Sequence, residues 1–199
     1  MNTPATAMHG LSAPSPWVRQ WAHLVAAGGA VLDVASGAGR HARFFASRGH
    51  PVTAIDRDAA ALDTLRDEPL VTTLAADLES AAWPLADDVR FAAIVVTNYL
   101  HRPLFAPLLR SLAPGGVLVY ETFAQGNERV GKPSNPSFLL APGELLERVR
   151  GQLRVVAFQD GFLAQPRPAY IQRICAIRQA EHSDDPAHAL PSPCYELAG

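Results

Sequence analysis

The 199-residue chain predicts a doubly wound α/β fold, a mostly parallel sheet with helices on both faces. Two observations carry this. Short apolar runs alternate with helix-capped segments through the first half of the chain. Each distinctive polar cluster then falls just after an apolar run, at Asp33, Asp56, Asp77, Asn98 and Glu121. Ligands of such sheets bind outside the carboxyl ends of the strands. Five clusters at strand ends therefore predict one site built from five loops.

Ser15-Pro16 starts the first helix, with Ser as N-cap and Pro in the first turn. Trp17, Val18, Trp21, Leu24 and Val25 share one face of it, and Gly28-Gly29 ends it. Two readings stay open for this helix. It packs on the sheet, or it is a lid in which Trp17 or Trp21 shields a cleft from water. Ala30 to Val34 is the first strand, apolar on both faces as a central parallel strand should be. A glycine turn leads into a helix from about Ala38 to Arg48, with Gly49 as its C-terminal glycine. Val52 to Ile55 is the second strand, Asp58 caps a helix over Ala59 to Arg66, and Leu70 to Leu74 is the third strand.

Phe91 to Val96 is the fourth strand, Leu104 to Leu112 a short helix and Val117 to Tyr120 the fifth strand after the Pro114-Gly115-Gly116 turn. Ala124 to Ser137 is a polar loop long enough to be functional. Pro142 to Arg150 is a helix. Leu153 to Gln159 and Tyr170 to Arg178 are late strands close enough to pair as an antiparallel hairpin. Residues 1–14 are expected to be a flexible arm, 15–179 the single domain with its N-terminal helix at 15–28 as a lid, and 180–199 a mobile tail.

Composition bounds what this fold can do. Apolar residues make up 48% and charged residues 18%, which excludes a disordered chain. A net charge of −2 and a pI near 6.4 disfavour a nucleic-acid partner held by phosphate contacts. Cys175 and Cys194 are the only cysteines and form no CxxC, so a reducing, cytoplasmic setting is expected. No signal peptide is read at the start, and no apolar run is long enough for a membrane span. The histidines lack metal-ligand spacing, so no metal is expected.

The chemistry centres on Val31-Leu32-Asp33-Val34-Ala35-Ser36-Gly37-Ala38-Gly39-Arg40-His41. Gly37 and Gly39 permit a sharp turn and close approach of a ligand. The helix that follows is expected to offer free N–H groups to an anion. Asp56, 23 residues after Asp33, is placed to accept both hydroxyls of a ribose. Asp77, 21 residues further on, is placed to accept from the exocyclic amine of adenine, with the Leu78 N–H for a ring nitrogen. Gly37 to Ala42 also fits G-x-G-x-x-A, so a nicotinamide dinucleotide site, and an NAD-linked oxidoreductase, is the direct competitor. The acid after the third strand and the Pro-Gly-Gly turn tilt the reading away from it.

The set resembles the class I S-adenosylmethionine-dependent methyltransferases: an acid and glycines after strand one, an acid after strand two, Asp plus an apolar residue after strand three, and P-G-G before strand five. The resemblance covers roughly Ala30 to Tyr120. It implies a Rossmann-like seven-stranded sheet with an antiparallel last strand, and S-adenosyl-L-methionine as methyl donor. By position, Asp33 and the Ala35-Ser36-Gly37-Ala38-Gly39 loop approach its methionine part, Asp56 its ribose, Asp77 and Leu78 its adenine, and Thr97 or Asn98 the region near its sulfonium, with Arg40 and Arg57 also expected to contact the cofactor. Ala35 departs from the pattern by standing where the family has its first loop glycine. The segment Phe138 to Leu145 also faintly resembles the tellurite-resistance branch and related small-molecule methyltransferases, which favours a small acceptor.

Such a transfer needs no protein nucleophile, because the electrophile arrives on the cofactor. His101 is the candidate base and Tyr99 a candidate for orienting the acceptor. Arg40, His41, Arg102, Arg129 and Lys132 are candidates for ringing the site with positive charge and favouring an anionic acceptor. The Asn-Pro-Pro-Tyr motif of many nucleic-acid amino methyltransferases is missing, and an RNA or protein methyltransferase is carried as a further alternative. The sequence leaves the acceptor and the oligomeric state open.

Overall fold

A computed structural model describes residues 13–165, 167–179 and 194–197; the expected N-terminal arm and C-terminal tail lie largely outside these. Seven strands form one sheet in the order β3-β2-β1-β4-β5-β7-β6. They are β1 (Val31–Val34), β2 (Val52–Asp56), β3 (Val71–Ala75), β4 (Phe91–Thr97), β5 (Leu112–Phe123), β6 (Arg154–Leu163) and β7 (Ala169–Ile177). β1 to β5 run parallel, and β7 is antiparallel to both β5 and β6. The chain order reverses between β1 and β4, so a crevice opens there at the carboxyl ends of the strands.

Strand alternation divides the core between the two faces. Leu32, Val34, Ile94, Val96, Leu118 and Ile174 pack against α4 (Phe105–Arg110) and α5 (Glu144–Val149). Val31, Ala93, Val95, Val117, Val119 and Cys175 face α1 (Pro16–Trp21), α2 (Arg40–Ala46) and α3 (Ala59–Asp63). Successive residues of β1, β4 and β5 thus enter opposite cores, which is why these strands read as continuous apolar runs.

Among the element boundaries that differ from expectation, three change how the chain is laid out. α1 is only six residues long and continues as one 3-10 turn, Ala22–Leu24. The short helix before β5 is split into a 3-10 turn at Arg102–Leu104 and α4. β5 starts at Leu112, ahead of the Pro-Gly-Gly turn, because that turn is a bulge within the strand. Phe91 pairs with Leu112 and Ala93 with Val117, leaving the residues between Leu112 and Val117 outside the ladder. Gly116 is required in this bulge, since a Cβ there would lie 2.8 Å from the Ala113 carbonyl oxygen and 2.9 Å from that of Phe91.

Of the two readings of α1, packing on the sheet is the one observed. Ser15 caps the helix by accepting from the Trp17 N–H at 3.1 Å. Trp17 is 1% exposed, donates its indole N–H to the Ile174 carbonyl at 3.3 Å and meets Trp21 edge to face at 5.5 Å. Both indoles lie in the core, not over a cleft, and only Ser15 and Pro16 reach the rim of the site. Removing a buried indole costs about 3–5 kcal/mol. Trp17→Ala should therefore lower unfolding free energy by that order in urea titration; a change within about 0.5 kcal/mol, the size of an ordinary surface effect, would mean that the ring is not structural.

Candidate functional site

The loop from β1 to α2 is held by carboxylates from two strands. Asp33 ends β1 facing the α2 side, where its Oδ2 accepts from the Ala42 N–H at 3.0 Å. Asp56, at the tip of β2, accepts from the Gly37 N–H at 2.7 Å through Oδ2 and from the Asp58 N–H at 2.8 Å through Oδ1. The loop is tightly turned, with Ala35, Gly37 and Gly39 at φ of 53°, 53° and 76°. Gly39 has no substitute, since a Cβ would lie 2.4 Å from Leu65 Cδ1. Ala35 takes the same left-handed backbone despite its methyl group, and Asn98, after β4, does so at 55°.

Two clefts open on this rim. The first, about 180 Å³, is lined by Ala35, Asp56, Arg57, Ala76, Asp77, Leu78, Glu79 and Tyr99. Three carboxylates there face one guanidinium. Asp77 accepts from the Glu79 N–H at 3.0 Å and the Ser80 hydroxyl at 2.6 Å, and these bonds hold its carboxyl below the usual range. The Tyr99 hydroxyl is buried and has no hydrogen-bond partner among the described residues. Burial, with Glu79 and Asp77 nearby, pushes its pKa up to about 12, so it remains a donor.

The second cleft, about 400 Å³, is walled by Ser15, Pro16, Arg40, Asn98, Glu121, Phe123 and residues of the β6–β7 hairpin. Arg40 reaches the Thr97 hydroxyl at 3.4 Å. Glu121 sits between the Ser15 hydroxyl at 2.8 Å and Arg173 at 3.2 Å. Consecutive residues of the loop after β4, Asn98 and Tyr99, line the second and the first cleft respectively.

Of the residues expected from sequence, Ala35, Asp56, Arg57, Asp77, Leu78 and Tyr99 share the first cleft, and Arg40 and Asn98 share the second. Gly37, Gly39 and Ser36 shape the loop without lining either cleft. Thr97 contacts Arg40. Asp33, at 1% exposure, lies beneath the loop, and one of the α2 N–H groups expected to await an anion, that of Ala42, already donates to it. His101 lines neither cleft.

The expected ring of charge is corrected. Arg102 is bonded on both sides to Glu144 at 2.8 Å and donates to the Ser137 and Leu139 carbonyls, so it fastens α5 to the loop before it. Arg129 is 80% exposed beside Glu128 at 3.8 Å. Lys132 is exposed on the same loop, and His41 is buried. The cations that do wall the second cleft with Arg40 are Arg167 and Arg173. For Arg173 the sequence signal was the period-two pattern Ala169, Ile171, Arg173 on β7, which places these three on one face beside Phe123 and Glu121 of β5, whereas Arg167 precedes β7 and carried no such signal. Among the described residues no group of three or more His, Cys, Asp or Glu is placed to hold a metal, and no helix is long and apolar enough to cross a membrane.

Residues 31–116 match a family described as a methyltransferase domain. The chain is 31% identical over 131 residues to the malonyl-[acyl-carrier protein] O-methyltransferase of Serratia marcescens, covering 64% of this chain and 47% of that protein. It thus spans about half the length of this curated relative. It superposes on TehB of Haemophilus influenzae with a TM-score of 0.65 at 21% identity, covering 88% of this chain and 64% of that one. It also superposes on the 1,6-didemethyltoxoflavin-N1-methyltransferase of Burkholderia thailandensis, solved with its substrate and S-adenosylhomocysteine, with a TM-score of 0.59 at 20% identity over 82% of this chain and 76% of that one. These two likenesses are of fold.

Asp33 and His41 give the site a pH signature. The Ser15 N–H donates to His41 Nε2 at 3.1 Å, which assigns the ring proton to Nδ1, 3.9 Å from Asp33 Oδ1. Burial, with Arg40 nearby, lowers the ring's pKa from 6.5 to about 3, so this contact is not an ion pair at neutral pH. Burial likewise raises Asp33 from 3.8 to about 7, against the Ala42 hydrogen bond and Arg40. Between those two values folded Asp33 retains a proton that the unfolded chain gives up, so its contribution to stability falls as pH rises. His41 acts in the opposite sense between about pH 3 and 6.5, where only the unfolded ring is protonated. Asp33→Asn should therefore gain stability relative to the parent as pH rises from about 4 to 7, with a constant difference outside that window. Denaturant titrations across pH measure it, and a difference that shrinks with rising pH would contradict the assignment.

Proposed function

We propose that the chain is a class I S-adenosylmethionine-dependent methyltransferase that transfers a methyl group from S-adenosyl-L-methionine to a small organic acceptor, a reading supported by the methyltransferase-domain match over residues 31–116 and by the relatives' names. The observation that carries this reading is the position of Asp56. Its carboxylate holds the glycine loop through Gly37 and at the same time lines the first cleft. Each carboxylate oxygen has capacity for a further hydrogen bond, so the loop contact and a ribose hydroxyl are compatible.

The residues of the first cleft suit a nucleoside. Asp56 would take the ribose, Asp77 and the Leu78 backbone the adenine edge, and Ala35 and Tyr99 would line the slot. The Tyr99 hydroxyl, buried without a partner, is a donor awaiting an acceptor. Arg40, beside the loop and Thr97, is placed for the carboxylate of the methionine part. A dinucleotide is the weaker fit. Its pyrophosphate would use the N–H groups at the start of α2, and one of these, that of Ala42, already donates to Asp33.

When bound, S-adenosyl-L-methionine supplies a methyl carbon made electrophilic by a positively charged sulfur. The protein's part is to align and to exclude water, which in favourable models is worth about 7–11 kcal/mol. Asn98 and Tyr99 line the larger cleft and the nucleoside cleft respectively. His101 lines neither cleft, so the reading assigns it no proton transfer. The names of the relatives, one for an acyl-carrier-bound malonyl group and one for a heterocycle, support a small acceptor group. Two free cysteines, one buried and one exposed, suit a reducing cytoplasm.

Calorimetry tests the reading. S-adenosylhomocysteine should bind the parent protein, and Asp56→Ala should weaken it about ten- to hundred-fold, the worth of hydrogen bonds to a charged acceptor. Circular dichroism checks that the variant folds. No binding to the parent, or equal binding by a folded variant, would overturn the assignment.

A further inference from the structure

We propose that the second cleft selects an acceptor that carries a carboxylate on an apolar body, with Arg167 as the residue that recognises the charge. The inference rests on the methyltransferase reading for the word acceptor, but the anion site stands on its own observations.

The two clefts have opposite polarity. The nucleoside cleft sets Asp56, Asp77 and Glu79 against Arg57. The second cleft sets Arg40, Arg167 and Arg173 against Glu121. These guanidinium groups are not equivalent. Arg173 is fully engaged: it donates to Gln159 at 2.7 Å and Glu121 at 3.2 Å, and lies over the Trp17 ring at 4.6 Å. Arg40 leans on the β1 side, toward Thr97 and the Ala13 carbonyl, where the methionine carboxylate is expected. Arg167 comes from the opposite wall, the turn between β6 and β7. Among the described residues it pairs with no carboxylate, and its guanidinium rests over the Phe123 ring at 5.6 Å.

Phe123 belongs to a small apolar cluster with Leu139, Ala169 and Ile171. The wall under Arg167 is thus apolar, with the cation lying over one of its rings. A guanidinium fork binds a carboxylate bidentately, and the apolar side chains around it accept an apolar body. The cavity of about 400 Å³ has room for such a body beside the cofactor's methionine part. Arg167 is therefore a specificity-determining residue distinct from those that hold the nucleoside.

The test uses 2-naphthoate and its neutral amide, 2-naphthamide, titrated calorimetrically into the full chain with and without saturating S-adenosylhomocysteine. The acid should bind at least ten-fold more tightly than the amide. Arg167→Gln should erase that preference while leaving S-adenosylhomocysteine affinity within about three-fold, and Arg167→Lys should restore part of it. Equal binding of acid and amide, no binding of the acid, or an unchanged preference in Arg167→Gln would overturn the proposal. Failure of S-adenosylhomocysteine to bind while the acid preference persists would overturn the methyltransferase reading and leave the anion site standing.

Discussion

The bond from the Gly37 N–H to the Asp56 carboxylate, 2.7 Å long, links the turn after β1 to the tip of β2. The geometry of the candidate site depends on it. A loop with three residues of positive φ has no local reason to hold one shape, and each such residue limits the backbone's alternatives only in the presence of an external tie. Asp56 supplies that tie from the neighbouring strand. Asp33 supplies a second from below, where it anchors the first turn of α2 through Ala42. The parallel pairing of β1 with β2, Asp33 opposite Ala54 and Val34 opposite Ile55, sets the two carboxylates at different heights under one loop.

The same economy extends to the second cleft. Register places Glu121 opposite Arg173 and Phe123 opposite Ile171 across β5 and β7. Because β7 is antiparallel, its start and the end of β5 meet at the same rim as the glycine loop. Ser15 closes this rim, with its backbone on His41 and its hydroxyl on Glu121. One short segment before α1 therefore connects the loop that would hold the cofactor to the strand pair that would meet the acceptor.

Much of this was legible in the sequence where the signal was local. Apolar runs ending in Asp33, Asp56 and Asp77 gave the parallel strands, and Ser15-Pro16 gave the helix start, because capping and strand burial depend on near neighbours. The late hairpin was legible from spacing, though β6 runs on to Leu163 and β7 begins one residue earlier than expected. Arg102 illustrates what was not legible. Its place after β4 suggested a role in the site, but its partner Glu144 lies 42 residues away, and only the folded chain shows them bonded. Arg167 is the reverse case, an unremarkable arginine between prolines that the hairpin carries to the rim. Asp33 was singled out by its position, and its side chain turns inward, because a strand's alternation decides the face and the acid fell on the α2 side.

The account stands or falls on where a nucleoside sits relative to Asp56. A crystal structure of the protein with S-adenosylhomocysteine measures this directly. The expected result is ribose hydroxyls within about 3.0 Å of the Asp56 carboxylate, with the adenine in the slot between Leu78 and Tyr99. A nucleoside bound elsewhere, with Asp56 holding Gly37 alone, would contradict it.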